Sequence, residues 1–207
     1  MLPYLACARA DAGRARYNTA MPSLGHVAVG MAAGRLWTKL GGEQRNEGQG
    51  TTTLALAMVG FSALSLAPDL DVIAFRFGIP YAASFGHRGA AHSICAALVL
   101  ASAAALATRL APDQVDGGQT RARLWLLCSV VAISHGLLDT LTDGGLGIAL
   151  LWPLSNHRYF APWTPIPVAP IGARMLTPHG LRVVMMEAVQ FAPLLAWAAW
   201  PRRSSAH

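Results

Sequence analysis

Lysine is all but missing from this chain: Lys39 stands alone, and charged residues of every kind make up only 13% of 207 residues, against about 25% in an average soluble domain. That shortage, together with 54% hydrophobic residues and a mean hydropathy of +0.39, excludes an ordinary soluble globule. Sixteen basic residues outweigh ten acidic ones, for a net charge of +6. The basic residues sit at the ends of apolar runs, and no aromatics interleave with them, so the excess charge suits membrane flanks and excludes a nucleic-acid surface. Cysteine is scarce too. Cys7, Cys95 and Cys128 form no metal or redox spacing and read as buried, inert thiols. No internal repeat is present. Residues 1–20 lack the order of a signal peptide and read as an N-terminal extension, with Met21-Pro22-Ser23 resembling a fresh start in which Ser23 caps the next helix. Residues 21–207 then form a single membrane-embedded domain.

Apolar stretches run from about Leu24 to Trp37, Thr51 to Ala67, His92 to Leu110, Leu124 to Leu141 and Leu181 to Trp200. A bilayer core asks for about 20 apolar residues as helix, and four of the five approach or reach that length. The first is short and carries Gly25, Gly30 and Gly34, the pattern of a helix packed closely on a neighbour. The fold class expected is therefore all-α, a polytopic membrane bundle of about four to five embedded helices. Gly41 to Gly50 and Pro112 to Thr120 read as exposed loops. From Asn156 to Pro178, five prolines forbid regular helix and predict an extended, partly buried loop.

Polar residues fall where lipid is expected. His26, the pair Asp69 and Asp71, the string His87-Arg88-Gly89 through His92-Ser93, and the i,i+4 pair His135 and Asp139 all adjoin or interrupt apolar runs. Each has an ordinary reading as a helix cap, helix stop, loop residue or hydrogen-bonded pair. Their topology argues otherwise. If the runs alternate up and down, every one of these groups lands at the same membrane face, so four weak signals become one constellation. Ionisable groups at membrane depth cost about 2.5–3.5 kcal/mol each, which makes them functional candidates by default. Imidazoles and carboxylates together suit Zn²⁺ or another first-row divalent ion, and more ligands than four suggest two metals or a catalytic site.

At these residues the sequence resembles a known family, the YdjM-type bacterial inner-membrane metal-dependent hydrolases, described as LexA-regulated. Met21 through His26, Pro68-Asp69-Leu70-Asp71, His87-Arg88-Gly89 with His92-Ser93, Ser134-His135 with Asp139, and Trp152-Pro153-Leu154-Ser155 carry the resemblance. Gly25 stands where the family pattern has Thr before the first His. The resemblance implies a multi-pass protein of the inner membrane. It also implies a distant similarity to zinc-dependent phospholipase C and P1-type nucleases, all-helical enzymes in which a His-x-x-x-Asp or His-x-x-x-Glu helix face supplies two ligands.

The function expected is a membrane-bound metal-dependent hydrolase. One or more divalent ions held by His26, Asp69, Asp71, His87, His92, His135 and Asp139 would activate water toward a phosphoester or lipid headgroup. Asp69 or Asp71 would take the proton, and Arg88, with Arg158 as a further candidate, would hold a phosphate oxygen. A non-catalytic metal-binding or transport protein would use the same ligands, although a transporter would place them nearer the membrane midplane. A metal-independent lipid phosphatase is excluded, since Ser129 is followed by Val130 rather than Arg and there is no Lys-rich motif. The partners expected are the bilayer and a lipid or phosphoester substrate, with no nucleic acid. Outside residues 1–20, whose Arg9, Arg14 and Arg16 would level the count from the site face, basic residues are the more numerous on the face opposite the site, which predicts a site on the extracytoplasmic side.

Overall fold

The computed structural model of the chain describes residues 24–40, 47–108, 118–168 and 176–201, and every regular element among them is helical. Helix α1 spans Leu24–Leu40, α2 Glu47–Leu66, α3 Ile94–Ala107, α4 Gly118–Thr140, α5 Pro178–Gln190 and α6 Ala192–Ala199. Two 3-10 segments, Ala67–Phe77 and Ala90–His92, lie between α2 and α3. The first four apolar runs of the sequence each become a helix, and the fifth, Leu181 to Trp200, is divided between α5 and α6. The N-terminal extension, Met21, the Ser23 cap and Cys7 lie outside the described residues, as does most of the two polar loops.

Many inward helix positions hold alanine or glycine, and many large apolar side chains face outward. Ala28, Ala32, Ala33, Ala97 and Ala101 are buried, whereas Leu56, Val59, Val99, Leu126, Val130, Met185 and Val189 are exposed. Lipid tails are as apolar as leucine, so helices in a bilayer gain by close backbone approach rather than by hiding large side chains. Helix α1 shows why its glycines are there: a Cβ on Gly30 would strike the backbone at Phe61 and Ser62, and one on Gly34 the backbone at Ala57 and Met58. The Ser62 hydroxyl donates to the Val27 carbonyl at 3.2 Å across the same contact. Ala33, Phe61, Leu64, Ala101, Leu124, Cys128 and Val131 form the common core of α1 to α4. Cys128 is buried as expected, but Cys95 is exposed on the outer face of α3. Facing lipid, a thiol serves as a small apolar side chain just as it does in a core.

By length and composition, Thr53–Phe77 (25 residues) and Thr120–Thr140 (21 residues) are long and apolar enough to cross a membrane. Helices α5 and α6 pass the same test together but are bent by 68°. Pro193 stands in the first turn of α6, where it has no N–H to carry the ladder through the bend. Helix α3, with 14 residues, is shorter.

One end of the bundle gathers the polar groups. There α1 begins, α2 ends, α3 begins and α4 ends, so the alternation read from the sequence is the topology of the chain. At the opposite end, Arg35 donates to the carbonyls of Ala198 (3.0 Å) and Trp200 (2.6 Å), which ties α1 to the last residues of α6. The segment 141–168 folds back at the polar end as extended chain, with bridges pairing Thr142 with Ile166 and Ile148 with Tyr159. Its contacts run inward: Ala149 N–H donates to the Arg88 carbonyl at 3.2 Å and Ile94 N–H to the Leu150 carbonyl at 3.0 Å.

Candidate metal centre

Proline decides how the two aspartates of Pro68-Asp69-Leu70-Asp71 are presented. Pro68 cannot continue the α2 ladder, and the chain carries on as 3-10 helix with three residues per turn. Residues two apart then point about 120° away from one another, so the pair divides. Asp69 turns toward α4, and Asp71 turns toward the loop that carries His87.

That loop is tightly wound. A side chain on Gly86 or Gly89 would run into the carbonyls of Pro80, Tyr81 and Ser84. Arg88 lies between them at a φ of 62°, a left-handed conformation that costs a non-glycine residue about 1–2 kcal/mol. His92 closes the loop, and Ser93 caps α3 by accepting from Ala96 N–H at 3.0 Å. The adjacent histidine is therefore fixed to the start of a helix. On α4, His135 and Asp139 share one face, as four-residue spacing requires.

Four of these side chains, Asp69, His92, His135 and Asp139, each offer a ligand atom within 4.8 Å of all the others, and all four are buried. His92 Nε2 lies 3.4 Å from Asp69 Oδ1 and 3.3 Å from Asp139 Oδ2, while His135 Nε2 lies 3.5 Å and 3.7 Å from the same oxygens. No hydrogen bond joins Asp69, Asp139 or either Nε2 to any described partner. These separations are long for hydrogen bonds. They match the edge of a tetrahedron of ligands about 2.0–2.1 Å from a central ion, which is about 3.3–3.4 Å. His26 joins at the edge, with its Nε2 3.4 Å from Asp139 Oδ1 and its ring stacked on His135 at 4.0 Å.

Backbone and carboxylate partners set the free nitrogens. His135 Nδ1 donates to the Ser65 carbonyl at 2.6 Å, which leaves Nε2 with its lone pair toward the cluster. A second group, Asp71, His87 and His92, adjoins the first through His92, whose Nδ1 is 3.1 Å from Asp71 Oδ2. Asp71 also accepts from His87 Nδ1 at 2.6 Å and from Arg88 N–H at 3.1 Å. Thus all seven residues singled out in the sequence come together at one end of the bundle, in two connected groups.

The two arginines separate in role. Arg88 is fully buried: its Nη1 donates to the Gly144 carbonyl at 2.7 Å, its Nε is 3.5 Å from Asp139 Oδ2, and its Nη2 has no hydrogen bond among the described residues. Arg158 is used up by the backbone. Its Nη1 and Nη2 donate to the carbonyls of His87, Arg88, Gly147, Tyr81 and Ala83 at 3.1–3.3 Å, so the expectation that it holds phosphate gives way to that of a staple across the loop. Tyr81 packs edge-on against His87, and burial pushes its phenol above the ordinary value, keeping it neutral beside the carboxylates.

Two supporting groups were not identified from sequence. The Ser65 carbonyl has no signature in a side-chain pattern. Glu187 did have one, an acid inside an apolar run. It is fully buried on α5 and accepts from Leu24 N–H at 2.8 Å and Gly25 N–H at 3.4 Å, at the start of the helix that carries His26.

Comparison with known proteins agrees with this architecture. A family described as YdjM inner membrane protein has a model that matches residues 21–204. The inner membrane protein YbcI of Escherichia coli (strain K12) is 42% identical over 125 residues, covering 60% of this chain and 69% of that protein. No solved structure matches.

Proposed function

Starting from the fact that the chain belongs to the YdjM inner membrane protein family and gathers buried His and Asp side chains able to hold a metal ion, we propose that it is a membrane-embedded metal-dependent hydrolase acting on a phosphoester, with a lipid headgroup as its substrate. The observation that carries this reading is the set of four ligand atoms, without hydrogen bonds among the described residues, spaced as the corners of a coordination shell. Two imidazoles and two carboxylates, with His26 beside them, are a donor set for Zn²⁺ or a similar borderline divalent ion. A divalent ion bound there supplies a Lewis acid and brings the pKa of a bound water toward about 7.

The residues do the rest. His135 is held in the ligating tautomer by the Ser65 carbonyl, and His92 Nδ1 faces Asp71 Oδ2 at 3.1 Å. Asp69 makes no hydrogen bond among the described residues, which leaves one carboxylate oxygen to ligate and the other to take a proton. The Arg88 Nη2 is a spare guanidinium donor beside Asp139, suited to a phosphoryl oxygen. Around this end Phe85, Leu154 and Trp163 are exposed apolar side chains, an environment for a substrate with acyl chains.

One observation favours a second reading, a metal site that is not catalytic. The side chains of His26, Asp69, His92, His135 and Asp139 are all at most 4% exposed, and structural metal sites are closed where catalytic ones keep a position open. Catalysis requires a position on the ion that substrate can reach.

The test is elemental analysis of the purified chain together with phosphomonoester, phosphodiester and acyl-ester lipid assays under several divalent ions. Metal retained by the wild type, lost in His135→Ala, and accompanied by hydrolysis supports the enzyme. Retained metal with no hydrolysis of any of these substrates supports the closed, non-catalytic site.

A further inference from the structure

The two groups of ligand-type residues share His92, and their geometries differ in kind. We propose that the centre takes a single divalent ion, on the Asp69, His92, His135 and Asp139 side, and that Asp71 and His87 are positioning residues that never ligate. This rests on the metal reading above and goes beyond it in fixing the number of ions and the role of each carboxylate.

Distance is the first ground. Asp71 Oδ1 and His87 Nδ1 are 2.6 Å apart, the length of a hydrogen bond. Two ligands at about 2.0–2.1 Å from one ion and that close together would subtend only about 80°, well short of a tetrahedral angle. Both Asp71 oxygens are also engaged by hydrogen bonds, Oδ1 by His87 Nδ1 and Oδ2 by Arg88 N–H. The Asp69 and Asp139 oxygens, in contrast, have no hydrogen bond among the described residues; His87 Nε2 has none either, but the ion-pair contact of His87 among those residues runs through Nδ1, so no carboxylate stands beside Nε2 to share an ion.

Protons are the second ground. A neutral imidazole has one N–H and one lone pair. Nε2 faces Asp69 and Asp139 and Nδ1 faces Asp71 Oδ2 at 3.1 Å, so a neutral His92 that ligates through Nε2 would carry its one proton on Nδ1, toward Asp71. To serve an ion on each nitrogen the ring would have to lose both protons. A carboxylate behind a ligating histidine is the usual outer partner of a metal site, and it fixes the ring while raising its basicity.

Charge is the third. Asp69, Asp71, Asp139 and Glu187 bring four negative charges into a buried region, and Arg88 and Arg158 bring two positive ones. One divalent ion neutralises that sum, whereas two would leave a double positive charge walled by apolar helices, which is costly.

The experiment is metal titration of the full chain in detergent, stripped with chelator and loaded with Zn²⁺, and in parallel with Co²⁺ to read the ligand field from its visible absorption. The wild type is expected to bind one ion per chain. Asp71→Asn and His87→Gln should each keep one ion per chain and the wild-type Co²⁺ band shape, with affinity weakened about 10- to 100-fold. Asp69→Asn and Asp139→Asn should change the Co²⁺ band or abolish binding. Two ions per wild-type chain, or a changed Co²⁺ band in both Asp71→Asn and His87→Gln, would overturn the single-ion assignment while leaving the metal reading intact. A wild type that binds neither metal would overturn both.

Discussion

Arg88 concentrates several demands in one residue: a buried guanidinium, a left-handed backbone, an N–H given to Asp71 and a carbonyl given to Ala149. Its side chain and its backbone can be tested apart. Arg88→Ala and Arg88→Gly both remove the guanidinium, so each should keep bound metal and lose about 10²- to 10³-fold in turnover, the scale of one deleted electrostatic group at a reacting centre. They should differ in stability. Glycine accepts a φ of 62° without the Cβ penalty, and the Gly variant should melt about 2–4 °C above the Ala variant for each ~1 kcal/mol of strain relieved. Equal melting temperatures would show that the loop, rather than residue 88, sets that backbone. At the same scale lies the division of Asp69 from Asp71. The sequence presents them as equivalent, but a 3-10 turn after Pro68 sends one to the cage and the other to His87. No pattern of residue types announces that a helix will tighten, because the choice between α and 3-10 hydrogen bonding depends on what the turn packs against.

Among the elements, α1 shows how a short apolar run is held. Gly30 and Gly34 let it touch the α2 backbone, and Glu187 on α5 takes the first N–H groups of its helix, two residues ahead of His26. The four N–H groups at a helix start need acceptors, and within lipid no water supplies them. Glu187→Ala should therefore lower the melting transition by the equivalent of about 1–2 kcal/mol, the value of a lost helix cap, and weaken metal binding through His26. Glu187→Gln keeps a carbonyl oxygen and should lose less on both measures. An Ala variant with wild-type melting and affinity would mean that α1 is positioned by its glycine contacts alone. The glycines were legible in the sequence, since their spacing is that of a close-packed membrane helix. The acceptor was not, because Glu187 and Leu24 are separated by most of the chain and only the folded bundle puts them together.

For the molecule as a whole, orientation follows from charge. Arg35, Lys39, Arg121 and Arg123 lie toward the end away from the site among the described residues, and Arg76, Arg88, Arg158 and Arg182 toward the site end, two of them locked in internal contacts. The sequence adds Arg45, Arg109, Arg202 and Arg203 to the far face and Arg174 to the site face. On the positive-inside rule this count predicts the far face in the cytoplasm and the site on the outer side, and Arg9, Arg14 and Arg16 of residues 1–20 would level it from the site face. In a background with the native cysteines replaced, Pro165→Cys should react with an impermeant thiol reagent on intact cells and Gly48→Cys only after lysis. The reverse pattern would turn the protein over.

What the sequence determined by itself is what depends on local chemistry and on counting. Shortage of charge and five apolar runs fixed a helical membrane protein, and the alternation of those runs put His26, Asp69, Asp71, His87, His92, His135 and Asp139 at one end, as the folded chain has them. A helix crossing a bilayer has only two ends, so a residue's position along its run already selects a face. The tertiary structure decided what needs angles and distances between segments far apart in the chain: which nitrogen of His135 is free, which aspartate is left without hydrogen bonds, and that Arg158 binds carbonyls rather than substrate. Each of these is settled by where a buried polar group finds its partner. In a low-dielectric interior that partner is obligatory, yet its identity is set by the packing of helices and loops and by no single stretch of sequence.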